Sequence, residues 1–375
     1  VVPLRQRETI PAVRVTLDAT PLLGTRTGIG RYVAELVGAL AQLDGPDTLD
    51  VRVTTWSARR GRVPDLPDGV RQVGPRIPAR ALRAAWLRGD QPRIETLVGG
   101  TTVFHGTNFV SPPTRRAAEV VTLHDLTYLE LPETVAPDSL QYAALVPRAL
   151  DRGAHVVVPT AATGRAVQER YGLPDERLTV TPLGVDPAWA AATPPDVPTR
   201  VRLGLDEEYI VFVGSLDPRK NLGRLIAAHA RLRASRPDVP RLVLAGPAGR
   251  ATDLTGDGIV RTGFLTDSDL RAVVAGARAL ALPSLDEGFG LPVLEALAAG
   301  RPVVAADLPV LREVAGPHAA FADPSDADSI ADALGRALDA PDDAASQDSR
   351  RAWASRFTWG ACARATLGAY RRAAA

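Results

Sequence analysis

Residues 285–304 read LDEGFGLPVLEALAAGRPVV and set Glu287 and Glu295 on either side of the turn-prone run Gly288-Phe289-Gly290. Proline favours the first turn of a helix, so Pro292 predicts a helix with Glu295 about one turn inside it and Leu294, Leu297 and Ala298 facing a core. Glu287 then lies in the loop before that helix. Glycines let a backbone approach a ligand closely, and the unsatisfied amides of a helix start suit oxygen-rich or anionic groups. A bare pair of glutamates at this spacing reads more simply as a solvated loop residue and an exposed helix residue. What surrounds the pair decides between the two.

Outward from this stretch, short β-rich runs alternate with longer helical patterns, the signature of α/β architecture with parallel sheets. In the first half the pattern predicts strands at 14–17, 51–54, 102–105, 120–123, 155–158 and 178–181, with helices near 30–42, 139–152 and 161–170. A proline-rich segment over 187–200 interrupts it and predicts a domain boundary. The alternation restarts at 209–214 and continues through strands at 241–245, 258–261, 279–282 and 302–305. The reading is therefore two doubly wound Rossmann-like domains, 1–190 and 201–356, with a final helix within 357–375 crossing back to the first. Ligands of open α/β sheets bind beyond the carboxyl ends of the strands, so a cleft between the domains is the expected site.

Composition narrows the class. The chain has 375 residues and a formal charge of +1, so it is long enough for two cores and carries no global field that would call for nucleic acid. One cysteine, Cys362, rules out an internal disulfide, and zinc-ligand spacings are absent. The N-terminal residues lack the apolar core of a signal peptide, and no long uncharged apolar run occurs, so a cytoplasmic setting is expected. Arg71, Arg76, Arg80, Arg83, Arg88 and Arg93 surround Ile77, Leu82, Trp86 and Leu87. That pattern reads as a domain helix with Trp86 packed inward, or as a basic helix lying peripherally on the inner face of an anionic membrane.

Candidate site residues fall at strand ends. VGSLDPRKNLGRLI carries Arg219 and Lys220 on the turn after the strand at 209–214, where a planar fork and a compact charge suit a pyrophosphate. VVTLHDLTYL places His124 and Asp125 just past another strand, where a histidine can contact a substrate hydroxyl while the carboxylate orients it. His105 is similarly placed; His155, His229 and His318 read as structural or exposed. In LDATPLLGTRTGIGRYVAEL, Gly28, Ile29 and Gly30 open a helix that can hold a phosphate. This is not G-x-G-x-x-G, and the following strand lacks the acidic end of a nicotinamide site. Asp267-Ser268-Asp269 and Asp326-Ala327-Asp328 read as helix caps rather than metal ligands, so no metal or cofactor is expected.

Taken in order, GSLDPRKNLGRLIAAHARL, LVLAGPAG and RTGFLTDSDLRAVVAGARALALPSLDEGFGLPVLEALAAGRPVVAADLPVLREV resemble the donor domain of glycosyltransferase family 4, the retaining enzymes of GT-B fold. The first half is similar to the bacterial mannosyltransferase branch, least so over 61–100, where acceptor-facing elements lie in such enzymes. The resemblance implies a metal-independent transfer of a hexose, mannose from GDP-mannose or a sugar from a UDP-sugar, to a glycan, lipid-linked or small-molecule hydroxyl. It also implies that Glu287 contacts the donor sugar, that the amides of Gly288, Phe289, Gly290 and Leu291 hold sugar and diphosphate, and that Glu295 binds the ribose. Arg219 and Lys220 would neutralise the pyrophosphate, backbone near Phe264 and Leu265 would meet the base, Gly28 to Gly30 would close on the phosphates, and His124 would touch the sugar. Many relatives carry arginine where this chain has Ser215, which leaves more of the phosphate charge to Arg219 and Lys220. A catalytically silent nucleotide-sugar scaffold of the same fold is the competing expectation.

Overall fold

The computed structural model describes residues 13–24, 28–43, 49–58 and 61–375. The N-terminal stretch read for a signal peptide lies mostly outside them, as do residues 25–27 just before the glycine-opened helix. Among the described residues no helix is long and apolar enough to cross a membrane.

Runs of Val, Ile and Leu that are apolar on both faces suit the interior of a parallel sheet. The inner strands follow that pattern, and β1 (Arg14–Asp18), β2 (Asp50–Thr54), β3 (Arg71–Gln72), β4 (Val103–Gly106), β5 (Ala118–Thr122), β6 (His155–Val158) and β7 (Leu178–Val180) form one sheet in the order 3-2-1-4-5-6-7. The second sheet holds β8 (Tyr209–Val213), β9 (Arg241–Ala245), β10 (Ile259–Gly263), β11 (Ala279–Leu282), β12 (Val303–Ala306) and β13 (Ala319–Ala322) in the order 10-9-8-11-12-13. All described pairings are parallel.

The helices in chain order are α1 (Gly28–Ala41), α2 (Ala79–Arg88), α3 (Ile94–Val98), α4 (Thr127–Glu130), α5 (Tyr142–Asp151), α6 (Ala161–Tyr171) and α7 (Val197–Leu203). They continue with α8 (Leu222–Ser235), α9 (Asp267–Gly276), α10 (Leu291–Ala298), α11 (Pro309–Ala315), α12 (Ala327–Asp339), α13 (Ala344–Ala354) and α14 (Trp359–Ala374). Contacts divide the chain into two compact units. The first takes the described residues up to Thr122 with Ala144–Val157 and Ala363–Ala375; the second takes Leu123–Ala143 and Val158–Cys362.

Within the proline-rich segment Asp196 accepts the Thr199 amide at 2.9 Å and Pro198 sits in the first turn, so α7 starts there. Two local readings differ from expectation. At α9 the cap is Thr266, whose hydroxyl accepts the Asp269 amide, while Asp267 and Asp269 occupy the first turn; at α12 Asp326 is the cap. β13 was hidden because AAFA has little β-branching, and it pairs along β12 at four positions. The arginine-rich segment resolves as α2 and its surroundings. Leu82 and Trp86 are buried against Trp56, Ile94, Val98, Phe104 and Leu145, so this helix spends its apolar face on the core.

Candidate active site

The second sheet reverses its strand order between β8 and β11, the place where open parallel sheets bind ligands beyond their carboxyl ends. Two loops leave the sheet there. After β8 the chain turns through Gly214 and a single 3-10 turn, Pro218–Lys220, and Asn221 takes a left-handed φ of 59° before α8 begins. The Asn221 amide donates to the carbonyls of Pro283 at 3.0 Å and Pro324 at 2.7 Å, which ties this turn to the loop after β11. The Leu285 amide adds a bond to the Arg219 carbonyl at 2.9 Å.

That tie brings Arg219 and Lys220 onto Glu287. Lys220 Nζ donates to Glu287 Oε1 at 2.6 Å, the Ser284 hydroxyl donates to the same oxygen at 2.7 Å, and Arg219 Nη1 lies 3.4 Å from Oε2. Arg219 also donates to the Asp286 carbonyl. Glu287 is 6% exposed and Lys220 8%, so the pair is desolvated. Burial alone would push the Glu287 carboxyl up, but Lys220 and then Arg219 overcome it and hold the pKa down at about 2. Its neighbour behaves oppositely. Burial first and the Asp125 carboxylate second push Asp286 up to about 6, against bonds from the Thr127 hydroxyl and the charge of Arg219.

The glycine run then passes under the segment after β5. A Cβ placed on Gly288 would stand 2.2 Å from the His124 carbonyl oxygen, so only glycine allows this approach. Gly290 takes φ 89° as the residue before α10, and Pro292 falls in its first turn. Phe289 and Leu291 have buried side chains, so what they can offer a ligand is backbone. Glu295 lies inside α10, 3% exposed rather than on a solvated face. Ser215 follows Gly214 at the β8 end, and beyond β10 Phe264 is exposed while Leu265 is buried. Gly28, Ile29 and Gly30 open α1 in the first unit, with Gly28 exposed and Gly30 buried. Among the described residues no group of three His, Cys, Asp or Glu side chains is placed to hold a metal ion.

The structure thus gathers Arg219, Lys220, Glu287, Gly288 and His124 into one cluster. Cations and carboxylate touch each other, rather than standing at opposite ends of a site. His105, in contrast, is a fully buried core residue. Ser284, Asp286, Thr127 and Asn221 were not legible as site residues, because each contributes through a partner distant in sequence or through a loop conformation. One signal was present in the composition and not used. Lys220 is the chain's single lysine among 44 basic residues, the other 43 being arginine. A compact ammonium fits where a guanidinium fork does not.

Residues 207–340 match the family described as glycosyl transferases group 1, and residues 26–189 match glycosyltransferase family 4. The O-antigen chain mannosyltransferase B of Escherichia coli is 27% identical, over 96% of this chain and 100% of its own length. The D-inositol 3-phosphate glycosyltransferase of Acidothermus cellulolyticus is 30% identical, over 99% of this chain and 91% of its own. Among solved structures, the sucrose-phosphate synthase of Thermosynechococcus elongatus superposes with a TM-score of 0.72 at 21% identity, covering 96% of this chain and 98% of that one; the likeness is one of fold.

Proposed function

This chain is a glycosyltransferase of family 4 with the GT-B fold, and from that premise we propose that it transfers mannose from GDP-mannose to a hydroxyl of a glycan, lipid-linked sugar or small molecule, with retention and without a metal ion. The observation that carries the site assignment is the buried cluster of Lys220, Arg219 and Glu287 at the sheet's reversal point.

As the bond to the anomeric carbon breaks, the diphosphate gains negative charge and the sugar becomes cationic. Fixed charges already in place stabilise that separation because nothing must reorient during the reaction. Arg219 and Lys220 face the leaving diphosphate, assisted by the amides of Gly288, Phe289, Gly290 and Leu291 at the start of α10. Glu287 accepts hydrogen bonds from the sugar hydroxyls. Its oxygens already receive bonds from Lys220 and Ser284, with Arg219 alongside, which makes it a poor nucleophile and a good fixed acceptor. Glu295 takes the ribose, Ser215 and the backbone of Phe264 and Leu265 border the nucleotide, and His124 contacts the sugar.

In this reading the enzyme meets its acceptor in the cytoplasm at the inner face of the membrane, a reading supported by the exposed Arg71, Arg76, Arg80 and Arg88 as an electrostatic contact. Calorimetric titration with GDP, UDP, GDP-mannose and UDP-glucose, each with and without EDTA, tests the reading. Guanine-selective binding that EDTA leaves unchanged supports it. Uracil-selective binding would move the donor to the UDP-sugar series, and no binding by any of the four would leave a silent scaffold.

A further inference from the structure

The second unit has a cavity at the edge of its sheet that faces away from the donor loops. β12 and β13 run parallel to β8 and β11, so Val303 and Ala319, at their first positions, mark the amino-terminal edge. The loops carrying Arg219, Lys220 and Glu287 leave the carboxyl edge instead. The cavity is lined by those two strand starts, the end of α12 and the first turns of α13, and its volume is about 610 Å³. Pockets for small organic molecules span roughly 300–1,000 Å³. Part of the lining is apolar: Pro302, Pro317 and Pro341 give flat surface, and Ala320, Ala337 and Ala340 leave space that larger side chains would take. The rest is polar, with Arg336, His318 and the hydroxyls of Ser346 and Ser349, one turn apart on α13. Arg336 is exposed and gives Nη2 to the Phe321 carbonyl at 3.0 Å. A guanidinium is a fork of several N–H donors, so others are left for a ligand. The His318 ring is held 5.6 Å from that of Trp353. Burial and then the charge of Arg350 pull its pKa down, so at neutral pH the imidazole both donates and accepts. Asp343 also lines the cavity, but its carboxylate is turned to its own helix, where it accepts the Ser346 amide at 2.9 Å as the cap of α13.

The wall of this cavity is positively charged. Arg350 is buried, and its Nη1 bonds the Gly300 carbonyl at 2.8 Å and Asp342 at 2.9 Å; Arg301 Nη1 reaches the same carboxylate at 3.0 Å. Two guanidiniums on one carboxylate leave a surplus positive charge at low exposure, where it acts more strongly than it would in water. Burial, opposed by Asp342 and reinforced by the charges of Arg350, Arg351 and Arg278, pulls the Arg301 pKa below its ordinary value. Surplus charge in the wall, a guanidinium at the rim and two hydroxyls suit a phosphate, while the proline and alanine surface suits the face of a ring. We propose that this cavity is a second small-molecule site, for a phosphomonoester carried on a sugar or nucleoside ring. Arg336, Ser346 and Ser349 take the phosphate, and the apolar wall takes the ring. The transfer reaction makes no use of this site, and the proposal does not depend on which donor the catalytic cluster binds.

Inorganic phosphate, ribose 5-phosphate and AMP form a nested series of probes, each adding one piece to the last, and each is titrated calorimetrically into the full chain. AMP is expected to bind with a Kd of about 1 mM or tighter, and at least about tenfold more tightly than inorganic phosphate. A gain already complete at ribose 5-phosphate assigns the ring to a sugar, and a gain that comes only with AMP assigns it to a nucleoside. Arg336→Gln removes an exposed guanidinium and is expected to weaken AMP about tenfold with an unchanged thermal midpoint. Ser349→Trp fills the cavity from its solvent side and is expected to abolish that binding. Lys220→Arg, at the carboxyl edge, is expected to leave AMP affinity at this site within about twofold. No saturable binding by any of the three probes, equal affinity for all three, or AMP binding that survives both Arg336→Gln and Ser349→Trp would overturn the proposal.

Discussion

Lys220 Nζ and Glu287 Oε1 lie 2.6 Å apart, with both side chains nearly closed to solvent. A buried ion pair contributes little net stability when both partners are present but is costly to halve. Replacing Glu287 with Ala should therefore destabilise the fold by about 3–5 kcal/mol, read as a lower urea midpoint. Glu287→Gln keeps the shape and should lower transfer by ~100-fold or more while nucleoside diphosphate still binds. Near-normal transfer by Glu287→Gln would remove this residue from the site. The folded pKa of about 2 lies below the ordinary 4.5, so the carboxylate's stabilising share is complete above pH 4.5 and is lost as pH falls toward 2.

Lys220 should not tolerate the substitution that the rest of the chain favours. Lys220→Arg puts a wider fork into a site fitted to an ammonium, and nucleoside diphosphate affinity is expected to drop by roughly tenfold. Because it is the single lysine, amine acetylation reports on it directly. Nucleoside diphosphate should slow labelling of that side chain, followed by peptide mass analysis; an unchanged rate would place Lys220 away from the ligand.

Asp286 supplies a pH dependence of opposite sign. Its folded pKa of about 6 is raised from 3.8, so the folded chain holds that proton more tightly and stability falls as pH rises from about 4 to about 6. The cost is full above pH 6, on the order of 2–3 kcal/mol. Asp286→Asn retains an acceptor for Thr127 without the charge. It should raise the thermal midpoint at pH 7.5 and flatten the slope between pH 4 and 6; a midpoint at or below the parent's would contradict this account.

Gly288→Ala tests the close approach beneath His124. The added carbon would sit 2.2 Å from a backbone oxygen, so one of the two segments must move. A loss of transfer of ~10-fold or more is expected, since misplacing reacting groups by about an ångström is that costly. Full activity would show that the spacing between these segments is unimportant to the chemistry.

Association with anionic vesicles should depend on charge alone, because Leu82 and Trp86 are committed to the core. Binding in a sedimentation assay is expected to fall steeply with added salt and with Arg76, Arg80 and Arg88 changed to Ser. Salt-resistant binding would instead indicate inserted apolar side chains.

The alternation of elements was legible because hydrophobic periodicity is local: β8 is buried at all five positions, and its neighbours in sequence say so. The start of α10 was equally legible from Pro292 and the glycines before it. Weaker signals failed where local preference was indifferent, as at β13, whose alanines become a strand by lying beside β12.

By itself, then, the sequence determined the fold class and the residues worth asking about: two parallel α/β alternations, and Arg219, Lys220 and Glu287 at strand ends. Only the tertiary structure decided what those residues are to one another. Lys220 and Glu287 are 67 positions apart, and Asn221 with the β8–β11 reversal closes that gap. Spatial neighbours then set the charges: Lys220 and Arg219 hold Glu287 ionised against its burial, while burial and the Asp125 carboxylate lift Asp286 beside it. Periodicity is a property of neighbours along a chain, whereas desolvation and charge pairing belong to neighbours in space.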